Sequence, residues 1–254
     1  MADQKVMVLG IKETFIIRVL VKKLKDSGMD AGFVPATVND INNKWKEYSL
    51  LTYYMETGER LSGEVTRFLT DKLRDSDHDM RLILVGDPDD TKKAMDNLPG
   101  DYIYKVFKRP LDNDEYIRTV SDLLLKIKEG EFKKRILIVD DDTTYMGLIR
   151  EWLKDEYKVS MANSGLQAIK WLGSNTVDLI LLDHEMPVTT GPQVLEMLRS
   201  DDETKNIPVI FLTGKSDKAS VMQVVSLKPE GYFLKNIEKE ELLDKLKDFF
   251  NKKR

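Results

Sequence analysis

The sequence predicts an α/β protein made of two doubly wound parallel-sheet domains in tandem. Short apolar runs alternate with amphipathic segments along all 254 residues, the pattern of a parallel sheet covered by helices on both faces. The rhythm of the second half recurs, more faintly, in the first at a spacing of about 130 residues, a repeat of domains and not of a solenoid. A short polar stretch, Glu129–Lys133 with Gly130, lies between the halves. Domains are therefore expected over 1–130 and 131–254.

In the first half, Lys5–Leu9 reads as a strand and Thr14–Leu24 as a helix. Strands are expected at Ala31–Val34, Ser49–Tyr54, Arg81–Val85 and Tyr102–Phe107, and a helix over Asp112–Lys128 closes the set. The second half is clearer. Arg135–Asp140 is a continuous apolar run ending in acids, as in a strand buried on both faces. Residues 143–155 place Met146, Ile149, Trp152 and Leu153 on one helical side. Tyr157–Ala162 is the second strand, and Ser164 caps a helix through Leu172. Val177–Leu182 runs into Asp183, and Pro192 opens a helix carrying Val194, Leu195 and Leu198. Pro208–Thr213 and Gly231–Leu234 complete the sheet before an amphipathic helix through Leu242, Leu246 and Phe250.

Composition excludes several chemistries. No cysteine is present, which removes disulfides, thiolate-bound metals and thiol catalysis. His78 and His184 are the sole histidines, too few for a multi-histidine metal site. The net charge of −4 divides evenly between the halves, so neither is a basic arm, and no nucleic-acid partner is expected. No signal peptide and no run of membrane-spanning length is evident. A cytoplasmic protein without a membrane partner is expected.

In open α/β sheets, ligands bind outside the carboxyl ends of the strands. The strand ends of the second half deliver Asp140 and Asp141, then Asp183, Thr213 and Lys235. Three gathered carboxylates call for a compensating cation, and hard oxygens without histidine or cysteine favour Mg²⁺. A hydroxyl and an ammonium opposite them suit phosphoryl oxygens. The set describes Mg²⁺-assisted phosphoryl transfer to a carboxylate nucleophile. Taken singly, each residue also has an ordinary reading: Asp142 or Thr143 can serve as a helix cap, and Lys235 as a solvated charge.

Residues 134–254 resemble the receiver domain of two-component response regulators. The motifs are Leu137-Ile-Val-Asp-Asp141, Leu181-Leu-Asp-His-Glu-Met-Pro187 with Gly191, Phe211-Leu-Thr-Gly214 and Gly231-Tyr-Phe-Leu-Lys235. The resemblance implies a flavodoxin-like (βα)5 fold, with Asp183 as phosphoacceptor. It implies Mg²⁺ held by Asp141, Asp183 and the backbone carbonyl of Glu185, with Asp140 acting mostly through water. Thr213 would hydrogen-bond the phosphoryl group, Lys235 would pair with its oxygens, and Thr213 and Tyr232 would form the switch. The implied donor is a sensor histidine kinase or a histidine phosphotransfer protein. Output is expected through a downstream protein partner or a homodimer, since no DNA-binding output domain is legible. Asn236 departs from the family, which places proline after its lysine through a cis bond; a non-proline cis bond costs about 2.5–4 kcal/mol. Glu185 and Lys215 stand where side chains tune the lifetime of the aspartyl phosphate.

The first half reads as a degenerate pseudo-receiver. A slide of about 130 residues puts Gly10 on Asp140 and Tyr53 on Asp183, and Gly86 replaces the threonine. Lys108 or Arg109 retains a cation with no evident partner. Asp87, Asp89 and Asp90 read as a solvated acidic loop. A rival reading makes the chain a haloacid-dehalogenase-type phosphatase with Asp140 as nucleophile, from the D-x-D-x-T pattern of Asp140–Thr144. That reading leaves Asp183 without a role.

Overall fold

The computed structural model describes residues 5–75, 80–214 and 226–252. The chain divides into two compact units, Met1–Phe132 and Lys133–Arg254. Each is built on its own five-stranded parallel sheet.

The first unit runs β1 (Lys5–Gly10), α1 (Phe15–Asp26), β2 (Asp30–Pro35), α2 (Val38–Lys44), β3 (Leu50–Tyr54) and α3 (Gly63–Asp75). It continues with β4 (Arg81–Gly86), α4 (Pro88–Asn97), β5 (Ile103–Lys108) and α5 (Asn113–Lys128). The strand order is β2-β1-β3-β4-β5. Crossing from β2 past β1 to β3 creates the topological switch point at which such sheets bind ligands. One core lies on either face: Leu51, Tyr53, Leu69 and Leu82 on one side, Leu50, Tyr54, Ile83 and Tyr116 on the other. The sequence pattern assigns none of α2, α3 and α4, and its signal is weakest at α2 and α4. Both are short and polar, and their caps fix them: the Thr37 side chain accepts from the Asp40 amide, and Pro88 occupies the first turn of α4.

The second unit runs β6 (Arg135–Val139), α6 (Thr143–Leu153), β7 (Lys158–Ala162), α7 (Gly165–Leu172), β8 (Leu179–Leu182) and α8 (Gly191–Ser200). After β9 (Val209–Thr213) and β10 (Gly231–Leu234), α9 (Lys239–Lys252) closes it. Its order, β7-β6-β8-β9-β10, repeats that of the first unit. Both units thus have the flavodoxin-like doubly wound topology. Lys215 and His78 lie outside the described residues.

Candidate functional site

The carboxyl ends of β6, β8 and β10 bring the acids and the lysine of the second unit together. Val139 pairs with Leu182 in the sheet, so the next residue on each strand, Asp140 and Asp183, emerges side by side. The Asp183 amide donates to the Val139 carbonyl at 2.8 Å, and the Lys235 amide to the Thr213 carbonyl at 2.8 Å. Ligand oxygens of Asp140, Asp141 and Asp183 lie within 4.8 Å of one another. Asp140 and Asp183 are buried and Asp141 is exposed, so the cluster opens to solvent on the Asp141 side.

Lys235 bridges the two buried acids, with Nζ 2.7 Å from Asp140 and 3.1 Å from Asp183. Burial alone would lower its pKa, but the hydrogen bond it donates to Asp140 and the charge of Asp183 raise it overall. The Asp140 carboxyl is pushed up by burial and by the charge of Asp183, against the pull of Lys235 and the Asp142 amide. Three carboxylates facing one ammonium leave a local charge of about −2 on hard oxygens, which matches a divalent, oxygen-loving cation. The donor set therefore fits Mg²⁺.

Local structure supports these positions. Asp142 caps α6 by accepting from the Thr144 and Tyr145 amides at 2.9 and 3.0 Å, which assigns it the capping role. Tyr145, one turn into α6, donates its hydroxyl to the Lys235 carbonyl at 3.2 Å. Its ring centroid lies 5.0 Å from the Lys235 ammonium, a cation–π contact. The sequence motifs gave no sign of this brace. The Lys235–Asn236 peptide is trans; the cis bond among the described residues is Arg109–Pro110. Thr213 is buried at the end of β9. Tyr232 packs its ring near Phe211 and His184, with centroids 5.8 and 6.5 Å away. Glu185 is exposed beyond Asp183.

The first unit fills the same end of its sheet differently. A Cβ added to Gly10 would lie 2.8 Å from Ile17 Cδ1, and one on Gly86 3.1 Å from Met55 Cε. Apolar atoms occupy the space that carboxylates and the threonine take in the second unit. One expectation is corrected here and an open one is narrowed. Sheet register pairs Val6 with Leu50 and Ile136 with Leu179, so Tyr54, not Tyr53, stands at the place of Asp183; Tyr53 faces the opposite core. Similarly, Gly86 pairs with Lys108 while Thr213 pairs with Leu234. The counterpart of Lys235 is thus Arg109.

Nor does that cation lack a partner. Arg109 reaches Glu56 at 2.9 Å, the Thr57 hydroxyl at 3.2 Å and the Met55 carbonyl at 3.3 Å, with Asp87 at 3.7 Å. Asp87 and Asp90 are not a solvated run either: Asp87 accepts from Thr57 at 2.7 Å, and buried Asp90 accepts from the Gly58 amide at 2.8 Å. A fixed internal ion pair ties down the loop after β3. Arg109→Ala is expected to destabilise this unit by about 1–2 kcal/mol, the usual cost of losing charged hydrogen bonds from a half-buried site. Urea denaturation measures that loss, and an unchanged midpoint would contradict it.

The second unit is similar to known proteins. Residues 136–247 match the family model of the response regulator receiver domain. The second unit is a receiver domain of the response regulator family, a module of two-component signalling. The chain is 28% identical over 120 residues to the chemotaxis protein CheY of Pseudomonas aeruginosa, covering 46% of this chain and 97% of that protein. It is 29% identical over 146 residues to the CAI-1 autoinducer sensor kinase/phosphatase CqsS of Vibrio cholerae. That match covers 56% of this chain but only 21% of the relative's length. A solved structure of V. cholerae CheY4 aligns with a TM-score of 0.44 at 26% identity, over 46% of this chain and 98% of that one. No helix among the described residues is long and apolar enough to cross a membrane.

Proposed function

We propose that the protein is a phosphorelay response regulator in which Asp183 accepts a phosphoryl group and the first unit is a pseudo-receiver that takes none. The supporting observation is the convergence of Asp140, Asp141 and Asp183, with Lys235 bridging two of them. A carboxylate oxygen of Asp183 attacks phosphorus, and the bond from phosphorus to the donor's leaving atom breaks. With phosphohistidine as donor, the electron pair and then a proton pass to the imidazole of a histidine kinase or phosphotransfer protein. Mg²⁺, held by Asp141, Asp183 and the Glu185 carbonyl with Asp140 assisting through water, would neutralise charge on the phosphoryl oxygens. Lys235 pairs with the same oxygens once Asp183 carries the acyl phosphate, and the Thr213 hydroxyl donates to one of them. Tyr145 holds the lysine in place for that contact. Drawing Thr213 and Lys235 toward a dianionic group shifts the β9–β10 side, where Tyr232 meets His184, a local electrostatic change that a protein partner can read.

The receiver family of the second unit favours this reading over a phosphatase using Asp140. Incubation with Mg²⁺ and acetyl phosphate is expected to load one phosphoryl group per chain and then stop. Excess chelator is expected to abolish the loading, as read by intact mass. Metal-independent loading, or continuous turnover of many equivalents, would refute the proposal.

A further inference from the structure

In the first unit, α3 and α4 face each other across a gap at the end of the β3–β4 pair. The side chains they present there are small or polar: Gly63, Thr66 and Thr70 from α3, and Asp90, Ala94 and Asn97 from α4. These positions recur every three or four residues, so each set forms one helical face. Helices that seal against one another fill such faces with branched apolar residues. Here a cleft of about 370 Å³ remains between them, within the size range of small-molecule sites.

The floor and the rim differ in chemistry. Tyr53, Met55 and Leu98 form a buried floor. The Tyr53 hydroxyl is turned toward the Leu61 amide but makes no hydrogen bond of full geometry among the described residues. Arg60, Arg67 and Lys93 stand at the rim, exposed, and none is in an ion pair among the described residues. The acids in the wall are already engaged. Glu59 accepts from the Glu56 amide at 2.9 Å, and Asp90 from the Gly58 amide. These two acids keep their charge, but the three cations outnumber them, so the lining is net positive.

We infer that this cleft binds a small organic anion, its flat apolar body resting on Tyr53, Met55 and Leu98. A carboxylate, sulfonate or phosphate at the mouth would meet Arg60, Arg67 and Lys93. Inorganic anions leave the apolar floor wet, and neutral aromatics leave the three cations unused, so both chemical features belong to the ligand. The ligand would give a unit without phosphoryl chemistry its own input, independent of Asp183.

The test uses the full chain and 8-anilinonaphthalene-1-sulfonate as the probe, with N-phenyl-1-naphthylamine as its uncharged counterpart. One saturable site per chain is expected, with the neutral analogue binding at least tenfold more weakly. Ala94→Trp, which fills the cleft, is expected to remove the site. Arg67→Glu, an exposed change that leaves the core untouched, is expected to weaken it at least tenfold while far-ultraviolet circular dichroism stays that of the wild type. Absence of a saturable site, equal affinity for the neutral analogue, or binding that Arg67→Glu leaves unchanged would overturn the inference.

Discussion

Asp183→Asn is expected to reduce phosphoryl uptake from acetyl phosphate to background while making the metal-free protein more stable by about 1 kcal/mol. The first effect follows from removing the nucleophilic oxygen, which an amide does not replace. The second effect comes from the charge of the cluster. Burial and the charge of Asp183 hold the Asp140 carboxyl above its usual 3.8. A raised acid penalises the folded state only when ionised. That penalty is absent below the unfolded value and complete once pH has risen past the higher folded one. Above that folded value, deleting the neighbouring charge relieves the share due to Asp183, and Lys235 gives up its 3.1 Å contact with Asp183 but keeps the 2.7 Å one with Asp140. Thermal unfolding in chelator reads the gain, which should shrink as pH falls toward the ordinary Asp140 value of 3.8. A destabilised, still phosphorylatable Asp183→Asn protein would contradict both halves of the argument.

Gly191→Ala is expected to be the most damaging single methyl group in the second unit. A Cβ there would lie 2.1 Å from the Asp183 carbonyl oxygen and 3.0 Å from His184 Cα. These are backbone atoms, and no side-chain rotation relieves the clash. The loop carrying Asp183 must move, at a cost of about 2–3 kcal/mol. Because a shift of about 1 Å at a reacting group can cost around a hundredfold in rate, phosphorylation should slow even at equal folded fraction. Gly147→Ala supplies the contrast within the same unit. Gly147 lies inside α6 with nothing within 4 Å of its would-be Cβ, so alanine there should stabilise by about 0.5–1 kcal/mol. Urea melts of the two variants should move in opposite directions. A Gly191→Ala midpoint equal to the wild type would show that the close approach is not needed.

The acids of the second unit were legible because parallel strands have a fixed polarity. A carboxylate following a buried apolar run must lie at the ligand-binding end, and the sheet order brings Asp140 and Asp183 to adjacent strands. In the first unit the same logic located the blank site and left the cation to Lys108 or Arg109, but it misplaced the counterpart of Asp183 by one position. A single offset cannot describe both strands: Val6 and Leu50 match Ile136 and Leu179 only when the loops between them differ in length. A slip of one residue turns a strand side chain to the other face, which is why Tyr54 and Tyr53 exchange roles. The Arg109 contacts were invisible for another reason. Glu56 and Asp87 are distant in sequence and meet Arg109 only because β3, β4 and β5 are neighbours. The cleft between α3 and α4 was likewise hidden, because α4 carries no apolar stripe long enough to announce a helix.

The central claim is an asymmetry: one sheet end performs phosphoryl chemistry and the other, of like topology, does not. Loading the full chain with acetyl phosphate and Mg²⁺, followed by peptide mapping of the aspartyl phosphate, tests it most directly. The account predicts a single phosphoryl group, on Asp183, and none on any peptide from residues 1–132. A phosphoryl group in the first unit, or one on Asp140 or Asp141 in place of Asp183, would contradict it.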